Sequence, residues 1–230
     1  MTSYAALTEA HSPEGHTVQW ATWAGDGDET TTIRWENEGF TVSGAVSDAP
    51  GREHIQYVLR LTATWQVRQF LLFRDLDEPD LWLATDGSGR WGEMNGAHRT
   101  ELDGCYDVDL ACTPLTQTLP IRRLPLLDGD SAELPVVTVN PDTLGVRADV
   151  HRYTRIAADR WQHELAGEGL ATEFEVDQFG LVVDYPALFR RLSESARSST
   201  ASGSLRRGSR SVIKFIAAMW SRNHCETRAG

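Results

Sequence analysis

Lysine is almost missing from this chain: Lys214 is the only one in 230 residues. Positive charge therefore comes from arginine, and it is unevenly placed. Residues 1–189 carry 13 Arg against 31 Asp and Glu, a net of −18, whereas residues 190–230 carry eight Arg, Lys214 and two Glu, a net of +7. An acidic body excludes nucleic acid as the expected partner, because phosphate contacts need a positive field. Cysteine is scarce as well. Cys105, Cys112 and Cys225 are odd in number and lack a framework spacing, which implies reduced thiols. Without a Cys-x-x-Cys pair, zinc is not expected. No segment approaches the ~18 uninterrupted apolar residues of a membrane-spanning helix. Met1 to Thr17 is mixed and polar, without the basic start and apolar run of a secretory signal. The cytoplasm is the expected location.

Apolar content is ample. The chain is 40% hydrophobic and holds eight tryptophans, enough for a sizeable core in one domain. Most of it reads as strand. Thr30–Trp35 leads through a turn at Glu36–Gly39 into Phe40–Val46. Ile55–Phe73 alternates apolar and polar residues but is too long for one flat strand, so two strands are expected with a bend near Ala63. Leu81–Thr85 and Arg90–Glu93 flank Asp86-Gly87-Ser88-Gly89, a hairpin signal. Leu134–Val139, Gly145–Ile156, Phe174–Asp177 and Gly180–Asp184 continue the pattern. Many strands with frequent turns predict a mainly β fold with antiparallel neighbours. One helix is expected, over Pro186–Leu192, from a leading proline and the spacing of Leu188, Phe189 and Leu192. A shorter one is weighed at Pro141–Leu144. The division is a domain over 1–192 and a basic, Ser/Arg/Gly-rich tail over 193–230, expected to be disordered. The apolar piece Ser211–Trp220 is too short to span a bilayer, and as a cationic amphipathic piece it would make only weak membrane-surface contact.

The richest stretch is Asp103–Leu124, LDGCYDVDLACTPLTQTLPIRRL with its preceding Leu102. On a strand, Asp107 and Asp109 share one face, with Tyr106, Val108 and Leu110 on the other. A turn centred on Leu115 and an antiparallel return place Asp107 opposite Arg123; a slip of one residue places it opposite Arg122. Either register joins a carboxylate to a guanidinium. Asp107, Asp109 and Arg123 are therefore read as a structural ion-pair ladder. The competing reading is a glycosidase-like carboxylate pair. An adjacent arginine argues against it, since it would hold both acids ionised.

The same stretch resembles the signature of the bacterial "putative glycolipid-binding" family. Gly180–Phe189, GLVVDYPALF, is similar to that family's C-terminal signature, and the spacing of Trp65 and Trp91 also fits. The resemblance covers roughly residues 16 to 192. It departs at Thr116-Gln117-Thr118, where the family usually reads Thr-Asn-Thr. It implies a spiral β-roll, a long antiparallel sheet wrapped around one C-terminal helix, with a lipid or glycolipid as ligand; the favoured reading is non-catalytic, and no catalytic residue is assigned. Trp65, Trp91 and Tyr106 would supply wall area for an acyl chain, and Arg122 or Arg123 would hold a polar headgroup. Two other readings stay open: a hydrolase of a sugar or lipid acting through Asp107 and Asp109, and a ligand-free interaction domain with a filled core.

Other motifs reduce to plain chemistry. Gly87–Gly92 matches G-x-G-x-x-G by letter, yet no helix follows it to receive a pyrophosphate, so it reads as turn chemistry. His151 and His163 have no ligand spacing; as lone histidines they read as surface or hydrogen-bonded residues, and no metal or cofactor is expected. No G-x-S-x-G elbow occurs.

Overall fold

The computed structural model describes residues 4–49, 52–74 and 78–193. Strands β1 (His16–Thr22), β2 (Asp28–Glu36), β3 (Gly39–Ala49), β4 (Arg52–Thr62), β5 (Val67–Phe73), β6 (Leu81–Thr85) and β7 (Trp91–Glu93) form an antiparallel meander. β8 (Asp107–Leu110) comes next, then a 3-10 turn at Leu115–Gln117 that runs into α1 (Thr118–Arg123). β9 (Ser131–Asn140), β10 (Gly145–Ala157), β11 (Arg160–Leu165), β12 (Ala171–Glu175), β13 (Asp184–Tyr185) and β14 (Phe189–Arg191) complete the order. One sheet has nine strands in the order β13-β14-β1-β2-β3-β4-β5-β6-β7; the other has five, β12-β11-β10-β9-β8. Neither closes on itself. The fold is mainly β, as the strand patterns predict.

Local chemistry explains several elements. The turn from β2 to β3 puts Asn37 and Glu38 at φ 52° and 61°, the left-handed pair that a twisted two-residue hairpin needs. The expected bend falls between β4 and β5, where Trp65 takes φ 65°. The Asp86–Gly89 turn is held by Asp86 Oδ1, which accepts from the backbone N–H and the hydroxyl of Ser88 at 2.7 and 2.8 Å. β9 is buried on both faces. Val137 and Val139 join the core of the nine-stranded sheet, while Leu134 and Val136 join a second core with Tyr153, Trp161 and Phe174. Such a continuous apolar run is typical of a strand covered on both sides.

Three expectations are overturned. Residues 118–123 are helical, and β8 pairs with β9 in parallel, so no antiparallel hairpin joins Asp107 to Arg123. Leu115 and Leu119 lie four apart, a helical repeat that competes with the strand alternation. Pro120 sits early in α1, where a missing N–H costs nothing. Second, Pro186–Leu192 is no helix. Ala187 turns the chain at φ 64°, and Phe189–Arg191 pairs with β1 as Thr22↔Phe189 and Trp20↔Arg191. Among the described residues the sheets therefore wrap around no C-terminal helix. Third, Pro141–Leu144 is a turn, held by Asn140 Oδ1 accepting from the N–H groups of Asp142 and Thr143.

The short α1 takes the central position. Leu115 and Leu119 pack into the core of the nine-stranded sheet, and Ile121 packs into that of the five-stranded sheet. Residues Cys112 to Ile121 are all buried. Among the described residues no helix is long and apolar enough to cross a membrane. The basic tail expected from Ser193 onward lies outside the described residues, apart from Ser193.

Candidate functional site

β8 presents its two acids to one side and Val108 and Leu110 to the larger core. Asp107 is fully buried and ion-paired with Arg123 at the end of α1, Nη2 to Oδ2, with a second contact from Nε to Oδ1 at 3.4 Å. Burial pushes the Asp107 carboxyl up, against the pull of the guanidinium. Among the described residues Asp109 makes no ion pair. Its Oδ1 accepts from the Thr116 hydroxyl and the Gln117 amide, both at 2.9 Å, which fastens the helical turn to the end of β8.

Asp109 also borders an open cleft of about 190 Å³. One wall is polar, with Gln117, Thr138, His151, His163 and Tyr185; Arg147, Asp149 and Glu168 also line it. Leu110, Pro114, Leu165, Leu188 and Phe189 make the apolar part. The volume is below the ~300–1,000 Å³ usual for drug-sized ligands.

A chain of hydrogen bonds runs along the polar wall. Tyr185 Oη lies 2.9 Å from His163 Nδ1, His163 Nε2 lies 2.8 Å from His151 Nδ1, and His151 Nε2 lies 3.3 Å from Thr138 Oγ1. Burial, and next the neighbouring His151, push His163 down to about 3, so it is neutral at physiological pH and carries one ring proton. Burial also raises the Tyr185 phenol. The single ring proton of His163 goes either to His151 or to Tyr185, and the other nitrogen accepts from the remaining neighbour. Every ring nitrogen of both histidines has a hydrogen-bond partner. Among the described residues no group of three or more His, Cys, Asp or Glu could hold a metal ion. Beneath the wall the buried Tyr153 donates from Oη to Gln117 Oε1 at 2.7 Å.

Behind the cleft lies a buried carboxyl. Glu29 Oε1 accepts from the hydroxyls of Tyr57, Thr31 and Thr113 at 2.6, 2.7 and 2.7 Å. Thr113 also lines the cleft. Burial, opposed by these three hydrogen bonds, raises Glu29 to about 7. Its Oε2 is buried without a partner. Cys112, next to Thr113, is a buried free thiol pushed well up by burial.

The residues expected to contact a ligand lie elsewhere. Trp65 is 3% exposed in the core, beneath the Arg122 guanidinium at 4.4 Å. Trp91 is buried, and its indole N–H donates to the Cys105 carbonyl at 2.9 Å. Arg122 donates to the Phe179 carbonyl, and burial lowers it to about 10. Arg123 is the partner of Asp107, with its guanidinium 6.0 Å from the centre of the Tyr106 ring. Tyr106 is exposed at 38%. None of the five is in the cleft wall, whereas Asp109 is. Sequence reasoning passed over Gln117, Thr138 and Tyr153 as site residues, and it read His151 and His163 as separate, surface or hydrogen-bonded residues where the structure brings them together as a hydrogen-bonded pair. A signal for the pair existed: a tight turn after Ala157 pairs Tyr153 with His163, which puts His151, two residues away, on the same face.

Comparison with known proteins agrees with this architecture. A family profile described as "Putative glycolipid-binding" matches residues 17–191. The chain is also similar to the crystal structure of a DUF1089 family protein from Pseudomonas aeruginosa, at 30% identity and a TM-score of 0.61, over 83% of this chain and 98% of that one. Among curated proteins, none matches.

Proposed function

The chain belongs to the putative glycolipid-binding family, and from that membership we propose that it is a non-catalytic binding protein whose cleft takes the sugar headgroup of a glycolipid. One observation carries this reading: the cleft surface is mostly apolar, with Pro114, Leu165, Leu188 and Phe189 in it, and a few buried, mutually bonded polar side chains are set among them. A few placed polar groups beside apolar surface suit a sugar ring, which has hydroxyls at its edge and C–H groups on its faces. The interior between the sheets is filled by Leu115, Leu119, Trp20, Phe70 and Trp91. The acyl part of the lipid would therefore remain outside, in its own bilayer or micelle, rather than inside a curled sheet.

Titration followed by NMR of the His151 and His163 ring resonances tests this. An alkyl glycoside and its deacylated sugar are expected to shift the same resonances, and a fatty acid alone to leave them unmoved. Binding of the fatty acid alone would overturn the headgroup reading. Native mass spectrometry of protein from its own host should show a carried mass containing a sugar. The hydrolase alternative has less support, since Asp107 is sealed in its pair with Arg123 and is separated from solvent.

A further inference from the structure

We infer that the headgroup accepted by this cleft is uncharged or amine-bearing, and that phosphorylated, sulfated and carboxylated sugars are turned away. This rests on the headgroup reading above and adds the sign of charge that the cleft tolerates.

The charged groups in the wall are Asp109, Asp149, Glu168 and Arg147. Arg147 does not offer an independent cation, because its Nε donates to Asp149 Oδ2 at 2.5 Å. Asp109 is bound only by the neutral donors Thr116 and Gln117, so its charge is stabilised but not cancelled. No described residue makes an ion pair with it. Burial holds His163 neutral, so it supplies no compensating cation, and carboxylates outnumber the guanidinium in the wall. The basic side chains that the sequence offered for an anion, Arg122 and Arg123, are committed to the Phe179 carbonyl and to Asp107.

A guest in this half-enclosed space meets carboxylates at reduced dielectric, where a like charge a few ångströms away is costly. Hydroxyl and ammonium groups are donors, and an unneutralised carboxylate is the acceptor they require. A phosphate or carboxylate has no such use for it and would need a free guanidinium.

Four soluble probes at pH 7 and low salt provide the test: methyl glucoside, glucosamine, glucuronic acid and glucose 6-phosphate. Binding is read by calorimetry and by ligand-observed NMR. The neutral and amine sugars should bind at least tenfold more tightly than the two anions. Asp109→Asn should weaken glucosamine and narrow the gap to the anions. Should that variant misfold, Glu168→Gln at the exposed rim should raise anion affinity relative to methyl glucoside, and an unchanged preference would overturn the inference. Anions binding as tightly as methyl glucoside would overturn the charge inference while leaving the headgroup reading intact. No binding by any of the four would overturn the headgroup reading, and this inference with it.

Discussion

Tyr57 donates a 2.6 Å hydrogen bond from β4 to Glu29 Oε1 on β2, two strands away in the same sheet. The carboxyl is buried, with no cation among its hydrogen-bond partners. Thr113 donates to the same oxygen and belongs to the loop that lines the cleft, so this bond set ties the nine-stranded sheet to the candidate site.

Glu29 makes stability fall as pH rises. Its carboxyl stands at about 7 in the folded chain against an ordinary value of 4.5. Between these values the unfolded chain has released its proton and the folded chain has not. The stabilising contribution is therefore complete below about pH 4.5 and is lost by about pH 7, a change of roughly 3 kcal/mol. Glu29→Gln removes the dependence. Urea unfolding of both proteins at pH 5 and pH 8 should show the variant gaining on the parent by about that amount at the higher pH.

His163 acts in the opposite sense. It stands at about 3 folded against 6.5 ordinarily, so the unfolded chain takes up a proton first as pH falls. Its contribution is present above about pH 6.5 and declines below it by roughly 1.4 kcal/mol per pH unit. His163→Gln should flatten acid unfolding between pH 6.5 and 4, as measured by tryptophan fluorescence.

Asp107→Asn leaves Arg123 half-buried without its carboxylate. Loss of one partner from a buried pair costs about 3 kcal/mol. Adding Arg123→Gln should cost little more, because the interaction is already gone. Sugar binding should persist in both proteins once folded, since neither residue is in the cleft wall; loss of binding with unchanged melting temperature would instead mark a direct role.

Leu119→Ala removes the side chain that plugs the space between the sheets. A loss of about 2–5 kcal/mol is expected from the missing contacts and the void. An unchanged unfolding midpoint would show that the interior collapses around the shortened side chain.

The meander was legible because its strands alternate and its turns carry their own chemistry. Asp86–Gly89 announces a hairpin, and the break in Ile55–Phe73 follows from length. The segment after Thr113 misleads for a physical reason. Leu119 and Ile121 alternate as a strand would, while Leu115 and Leu119 repeat as a helix would, and local pattern does not rank the two. Burial on every side of α1 ranks them: a short helix bonds its own backbone, so it can fill a gap where a lone strand would leave backbone groups unpaired. Residues 186–192 show the reverse. A helical spacing loses to the edge of β1, whose backbone groups Phe189–Arg191 complete.

Composition and pattern alone establish a mainly β chain with an acidic body and a family resemblance across roughly residues 16 to 192, where the family profile matches 17–191. Alternation and turn residues act over a few neighbours, and that range suffices for strands. The meeting of Asp109 with Gln117, Tyr153, His151 and His163 needed the folded chain. These groups come from β8, the turn before α1, and β10 and β11, and their distances depend on register and on which face of β9 each sheet covers. Those are sums over many long-range contacts, and no short window of sequence contains them.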